Sequence, residues 1–122
     1  MKTAVVLAGG VAKGAFEAGV LEVLIERGVR VSQVVGTSSG ALNAALLAAG
    51  IRAGRERDAT ARLCELWRDD AGWMHVFHLS LRHILERSGV SDSKEILALL
   101  RQEIPRIATA ALNPVRLRIV VT

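Results

Sequence analysis

The stretch Gly36-Thr37-Ser38-Ser39-Gly40 constrains this chain more than any other. An apolar run, Val31 to Val35, precedes it, and a helix-like run, Ala41 to Ala49, follows. The order is strand, sharp turn, helix. A G-x-S-x-G pentapeptide at such a junction is the pattern of a nucleophile elbow. The turn forces its central residue into a strained backbone conformation, so its neighbours must be small. Gly36 and Gly40 remove Cβ atoms that would collide where strand and helix cross. Ser38 is then held at the end of a sheet beside a helix N-terminus, which favours developing negative charge. In a Gly/Ser loop the same pentapeptide would be only a flexible turn. The flanking strand and helix are what make Ser38 a candidate nucleophile.

A second glycine-rich turn lies upstream. Thr3 to Ala8 is a short apolar run that reads as a strand buried on both faces, as in a parallel sheet. Gly9-Gly10-Val11-Ala12-Lys13-Gly14 follows as a turn. Ala15 to Arg27 then has helical spacing, with Phe16, Val20, Val23 and Leu24 on one face, and Gly28 is a good C′ residue. Val29 to Val35 returns to strand. This is a βαβ unit, and its crossover is expected to be right-handed. Both glycine turns therefore follow strands of one parallel unit and fall at the same carboxyl edge, where α/β sites form.

Three readings of the first glycine turn compete. A Walker A phosphate loop fails, because Ala15-Phe16 stands where Lys-Ser/Thr is required. A dinucleotide fingerprint fails as well. Val11 occupies the second glycine position, and Gly36 stands where an acidic residue would end the second strand. An oxyanion loop serving Ser38 fits, since glycines let backbone N–H groups point inward without steric cost. A tight turn with no ligand is the plain alternative.

Downstream, Ser39 to Ala49 reads as an alanine-rich helix closed by Gly50. Arg55 to Asp70 reads as an amphipathic helix with Leu63, Leu66 and Trp67 on its apolar side. Ala71 to Gly89 reads as irregular and then helical through Leu81, Ile84 and Leu85. Asp92-Ser93-Lys94-Glu95 resembles a capping box, opening a helix through Leu97, Leu100 and Ile104 that Pro105 is expected to end. Asn113-Pro114 signals a turn, and Val115 to Thr122 reads as a third strand. An open third strand is an exposed edge. The expectation is that residues 1–122 are the N-terminal portion of a single larger domain.

Composition narrows the function classes. The chain has 122 residues, 51% of them hydrophobic, with a formal net charge of +4. That is one domain at most, globular rather than disordered. Aromatic residues are only 3%, and the arginines are scattered apart from Arg52, Arg55 and Arg57, so nucleic acid is not an expected partner. The single cysteine, Cys64, excludes an internal disulfide and reads as a small buried hydrophobe. No run of 18 apolar residues occurs, and no signal peptide is read. A cytoplasmic or peripheral membrane location is expected.

The two turns together carry a family resemblance. Leu7 to Ala15, then Gly19-Val20-Leu21, then Gly36 to Ala44 look like the patatin-like phospholipases. The likeness is strong over about the first 50 residues and weaker through Gly89 to Leu100 and the strand ending at Val121-Thr122. It implies a mainly parallel, three-layer α/β/α fold that hydrolyses lipid or phospholipid esters through a Ser-Asp dyad, with peripheral membrane contact and no cofactor or metal. Ser38 matches the nucleophile. Gly9, Gly10, Val11, Lys13 and Gly14 match the oxyanion loop, with Val11 where the family form usually has a third glycine. Gly36 and Gly40 match the elbow. The family's aspartate lies in an Asp-Gly motif, and no Asp-Gly occurs here. Asp58, Asp69, Asp70 and Asp92 all fall in helical or capping contexts. The expectation is that the complete domain is a serine esterase whose aspartate is missing from this chain. A catalytically inactive lipid-binding or scaffold fragment is the alternative. A Ser-His-Asp reading would need His75, His78 or His83, but Ser38 comes early for that fold. His75 and His78 sit one turn apart without further ligands, so surface or core histidines are the plainer reading.

Overall fold

The computed structural model describes residues 2–69, 92–108 and 111–120. The expectations for 71–89, for His75, His78 and His83, for Asp70 and for Val121-Thr122 lie outside the described residues. So do the side chains of the Asp92 cap. Elements follow in the order β1 (Thr3–Leu7), α1 (Val11–Glu26), β2 (Val31–Thr37), α2 (Ser39–Ala53), α3 (Glu56–Asp69), α4 (Asp92–Ile107) and β3 (Arg116–Val120). The three strands form one parallel sheet in the order β1-β2-β3. This is the α/β class expected from the sequence.

The strand order explains where the helices go. Two successive crossovers step in the same direction across the sheet. With the usual handedness both place their helices on the same face. The core accordingly lies between that face and the described helices. Leu7 and Val34 are buried there, and Val5 and Leu117 pack against them from β1 and β3. Leu42, Leu46 and Leu47 of α2 meet them from above, and Leu63 and Leu66 of α3 close the cluster. On the opposite face Ala4, Val6 and Arg118 are exposed. The period of two along β1 separates these faces.

Four features differ from the sequence expectation, each for a physical reason. First, α1 begins at Val11 and not at Ala15, because Gly10 already ends the turn and its carbonyl accepts from the Lys13 and Gly14 amides. Second, α1 turns a different face inward. Ala18, Leu21 and Ile25 are buried, whereas Phe16 is 74% exposed and Val20 and Val23 are also exposed. The helix carries two apolar stripes, and small residues at Gly14 and Ala18 let its neighbours approach on one of them only. Third, α2 continues through Gly50 to Ala53, and the left-handed Gly54 (φ 67°) ends it. Gly50 instead makes room for the Ala59 methyl of α3. Fourth, Pro105 lies inside α4, two residues before its end, and not at its boundary.

The helices are also tied by polar bonds. Arg62 of α3 donates twice to Glu103 of α4, at 2.9 and 3.0 Å, and Glu103 is buried. Of the arginine cluster, Arg52 donates to the Val115 carbonyl and Arg55 to Asp58 and the Arg106 carbonyl. Cys64 is half-buried and not fully enclosed. Its thiol donates to Glu22 at 3.4 Å, and burial followed by Glu22 pushes its pKa up to about 11.

Candidate active site

Ser38 sits between β2 and α2 with φ 55° and ψ −125°. It is the one non-glycine residue with positive φ among those described. Such a conformation costs on the order of 1–3 kcal/mol and persists only where surrounding packing imposes it. The packing is visible at the two elbow glycines. A Cβ on Gly36 would run into the Gly40 carbonyl, as the crossing of strand and helix demands. A Cβ on Gly40 would run into the Leu7 carbonyl at the end of β1. The elbow is therefore wedged against the neighbouring strand as well as against its own.

The backbone geometry leaves the Ser38 side chain unused by the fold. Ser38 holds the N-cap position of α2, where serine ordinarily accepts from the first helical amides. Here it makes no cap bond, and the residue is exposed. Among the described residues none hydrogen-bonds its Oγ.

The first glycine turn lies directly against this serine. A Cβ on Gly9 would fall 2.9 Å from the Ser38 Cβ and 3.7 Å from its Oγ. Gly10 has φ 129° and caps α1. The positive φ of the turn thus falls on a glycine, and Val11 takes the first helical position, where a β-branched residue is under no strain. Lys13 and Gly14 belong to the first turn of α1 and not to a loop. The structure brings Gly9, Gly10, Ser38, Gly36 and Gly40 to one place.

Two helix N-termini converge on that place. Both α1 and α2 lack a side-chain cap, and neither has an acidic residue in its first turn. First-turn N–H groups have no partner inside their own helix. The N–H groups of Val11 and Ser39 are thus available at a locus that favours negative charge.

A polar network lies behind the site, and its pairings cannot be read from spacing in the sequence. Asn43 is fully buried on α2. Its Nδ2 donates to the Gly14 carbonyl at 2.9 Å and to Glu17 at 3.4 Å, and its Oδ1 accepts from Trp67 Nε1 at 2.9 Å. Gly14 is glycine because the Trp67 ring occupies the volume of its Cβ. Desolvation raises the Glu17 pKa above the ordinary carboxylate value, partly offset by Asn43, the Ala8 amide and Lys13. Ser39, also buried, donates from Oγ to the Gly10 carbonyl at 2.9 Å. Its traces in the sequence are Ser39 and Asn43 within the Gly36–Ala44 stretch, Asn43 being a lone amide in the otherwise apolar run Leu42 to Ala49.

The remaining candidates lie elsewhere. Asp58 pairs with Arg55 and Asp69 with Arg68, both aspartates lying on the exposed side of α3. Two clefts, of about 640 and 830 Å³, open beside the amino ends of β1 and β2, lined in part by Lys2, Ser32 and Asn113. Neither includes Ser38. Among the described residues no helix is long and apolar enough to cross a membrane.

A parallel sheet whose second strand runs into a strained serine, faced by a glycine turn from the first, defines an α/β protein built around a serine elbow. The family model for patatin-like phospholipase matches residues 5–119. The chain belongs to that family, whose members as a group are lipid acyl hydrolases. No curated protein and no solved structure matches it.

Proposed function

We propose that this chain carries the nucleophile and oxyanion site of a serine hydrolase acting on carboxylic esters of lipids. The observation that supports it best is Ser38 itself: strained, exposed, free of a capping bond, and in contact with Gly9. In this reading Ser38 Oγ attacks the ester carbonyl as its proton passes to a base. The carbonyl oxygen becomes an oxyanion that accepts from the N–H of Ser39 and from the Gly10–Val11 turn. Each such donor is worth roughly 3–4 kcal/mol in the transition state. Collapse expels the alcohol, which takes up the proton, and leaves an acyl-serine. Water adds to that acyl group, releasing the fatty acid and returning the proton to Ser38. The base is the aspartate of a Ser-Asp dyad, and residues 1–122 are the N-terminal portion of the domain that would hold it.

A second reading rests on one specific observation: none of the described carboxylates hydrogen-bonds Ser38. In that reading the chain binds lipid without cleaving it. Turnover of a p-nitrophenyl ester separates the two. The 122-residue chain is expected to show little or none, because the base is absent. Turnover that disappears in Ser38→Ala would overturn the missing-base assignment. A longer form bearing an Asp-Gly motif is expected to react with a fluorophosphonate at Ser38. Failure of that folded form to react would favour the binding module.

A further inference from the structure

One residue joins the two donor groups of the site. Ser39 contributes its main-chain N–H at the first position of α2, next to the nucleophile. Its side chain crosses to the glycine turn and donates to the Gly10 carbonyl at 2.9 Å. That carbonyl also accepts from the Lys13 and Gly14 amides, at 3.0 and 3.1 Å. Three donors therefore fix the direction of a single C=O. The Gly10–Val11 peptide is trans, so the Val11 N–H must point the opposite way, out of the N-terminal end of α1. Glycine at position 10 gives the turn its φ of 129°, but glycine by itself allows many other conformations. Something outside the turn has to select this one.

Asn43 secures the next turn of the same helix. It lies one helical turn beyond Ser39, on the same side of α2. Its Nδ2 holds the Gly14 carbonyl at 2.9 Å, and Trp67 Nε1 holds its Oδ1 at 2.9 Å. Ser39 and Asn43 are 1% and 0% exposed; the Asn43 bond to Gly14 is buried, and the Ser39 bond to the exposed Gly10 is part-buried. The two side chains stitch α1 to α2 at successive turns, directly beneath the Gly9–Ser38 contact. A purely structural need to pack α1 against α2 would be met by apolar residues. Two buried hydrogen-bonding side chains in an otherwise alanine- and leucine-rich helix specify a rotation and a register.

We propose that Ser39 and Asn43 are positioning residues, which set the peptide planes of the Gly9–Gly14 segment so that the N–H donors of the Gly10–Val11 turn face the oxyanion that forms from the ester carbonyl at Ser38. The proposal rests on the serine-hydrolase reading for its purpose, but its geometry can be tested without turnover.

The test uses the longer form bearing the Asp-Gly motif and its Ser39→Ala variant, a change small enough to leave the core filled. Amide hydrogen exchange is read by NMR, and Ser38 phosphonylation by a fluorophosphonate is timed in parallel. Loss of this part-buried hydrogen bond is expected to speed exchange at Lys13 and Gly14 by about three- to tenfold. The Leu46, Leu47 and Leu63 amides are expected to stay within about twofold, as a local opening requires. Phosphonylation is expected to slow by a similar factor. Unchanged protection at Lys13 and Gly14 would overturn the proposal, as would a uniform loss across all these amides. Faster local exchange with an unaltered phosphonylation rate would also overturn it, since the bond would then serve the fold alone. If the longer form with Ser39 intact does not react with the probe, the hydrolase reading fails, and local exchange still decides whether Ser39 sets the turn.

Discussion

Two helical glycines should respond to alanine in opposite directions, and the structure sets both magnitudes. Gly19 lies in α1 without a positive φ, and a Cβ there would meet no heavy atom within 4 Å. Alanine at that position gains helix propensity and loses nothing, so Gly19→Ala is expected to stabilise by about 0.5–1 kcal/mol. Gly40 lies in the first turn of α2. Its Cβ would fall 2.6 Å from the Leu7 carbonyl carbon and 2.9 Å from the Ala8 oxygen. Comfortable carbon contacts begin near about 3.5 Å, so helix or strand must move by close to an ångström. Leu7 is paired with Gly36 in the sheet and cannot yield alone. Overpacking of this kind costs about 1–3 kcal/mol, and the propensity gain offsets up to about 1 of it. The net expectation for Gly40→Ala is a loss of about 1–2 kcal/mol. Urea unfolding reads both. With a slope of about 2 kcal/mol/M, the midpoint should rise by about 0.3–0.5 M for Gly19→Ala and fall by about 0.5–1 M for Gly40→Ala. Equal midpoints at unchanged slope would refute the claim that the elbow is wedged against β1.

Two further outcomes follow from buried charge. Truncating the two ends of the Arg62–Glu103 pair should not cost the same. Arg62→Ala strands a carboxylate that is 2% exposed, with Arg106 at 3.6 Å the one other cation paired with it among the described residues, and is expected to cost about 3 kcal/mol. Glu103→Ala leaves a guanidinium that still reaches solvent and Glu65, and is expected to cost about 1–2 kcal/mol. Urea unfolding of both variants checks the order, and equal losses would contradict it. Glu17 supplies the pH-dependent case. Its folded pKa lies above the unfolded value of 4.5, so its ionised form is penalised by folding. That penalty is absent well below pH 4.5 and complete once the pH exceeds the folded pKa. Glu17→Gln is therefore expected to gain stability relative to the parent as pH rises above 4.5. A stability difference that is flat across pH 3.5–7.5, or that shrinks with rising pH, would contradict the assignment.

The strand–turn–helix order around Ser38, the βαβ unit and the α/β class were legible because they depend on local patterns. A glycine two residues either side of a strained serine reports a collision that any such junction must avoid. The rotation of α1 was not legible. Phe16, Val20 and Val23 have good helical spacing, yet they face out, because the helix is apolar on two sides and periodicity has no way to choose between them. Gly50 and Pro105 looked like terminators for a related reason. Each is a helix breaker by propensity, but Gly50 is retained where α3 crosses closely, and Pro105 is accommodated near the end of α4.

The elbow, the glycine turn beside it in the parallel unit, and the lack of any Asp-Gly dipeptide in these 122 residues can all be read along the chain. These are properties of adjacent residues, where backbone sterics leave few choices. Three other facts emerge only once the elements are packed together. Gly40 is required by the end of β1, Gly14 is required by Trp67, and Ser39 and Asn43 tie the turn to the helix behind Ser38. Those contacts join residues 24 to 53 positions apart in sequence, and packing between elements, not local preference, selects them.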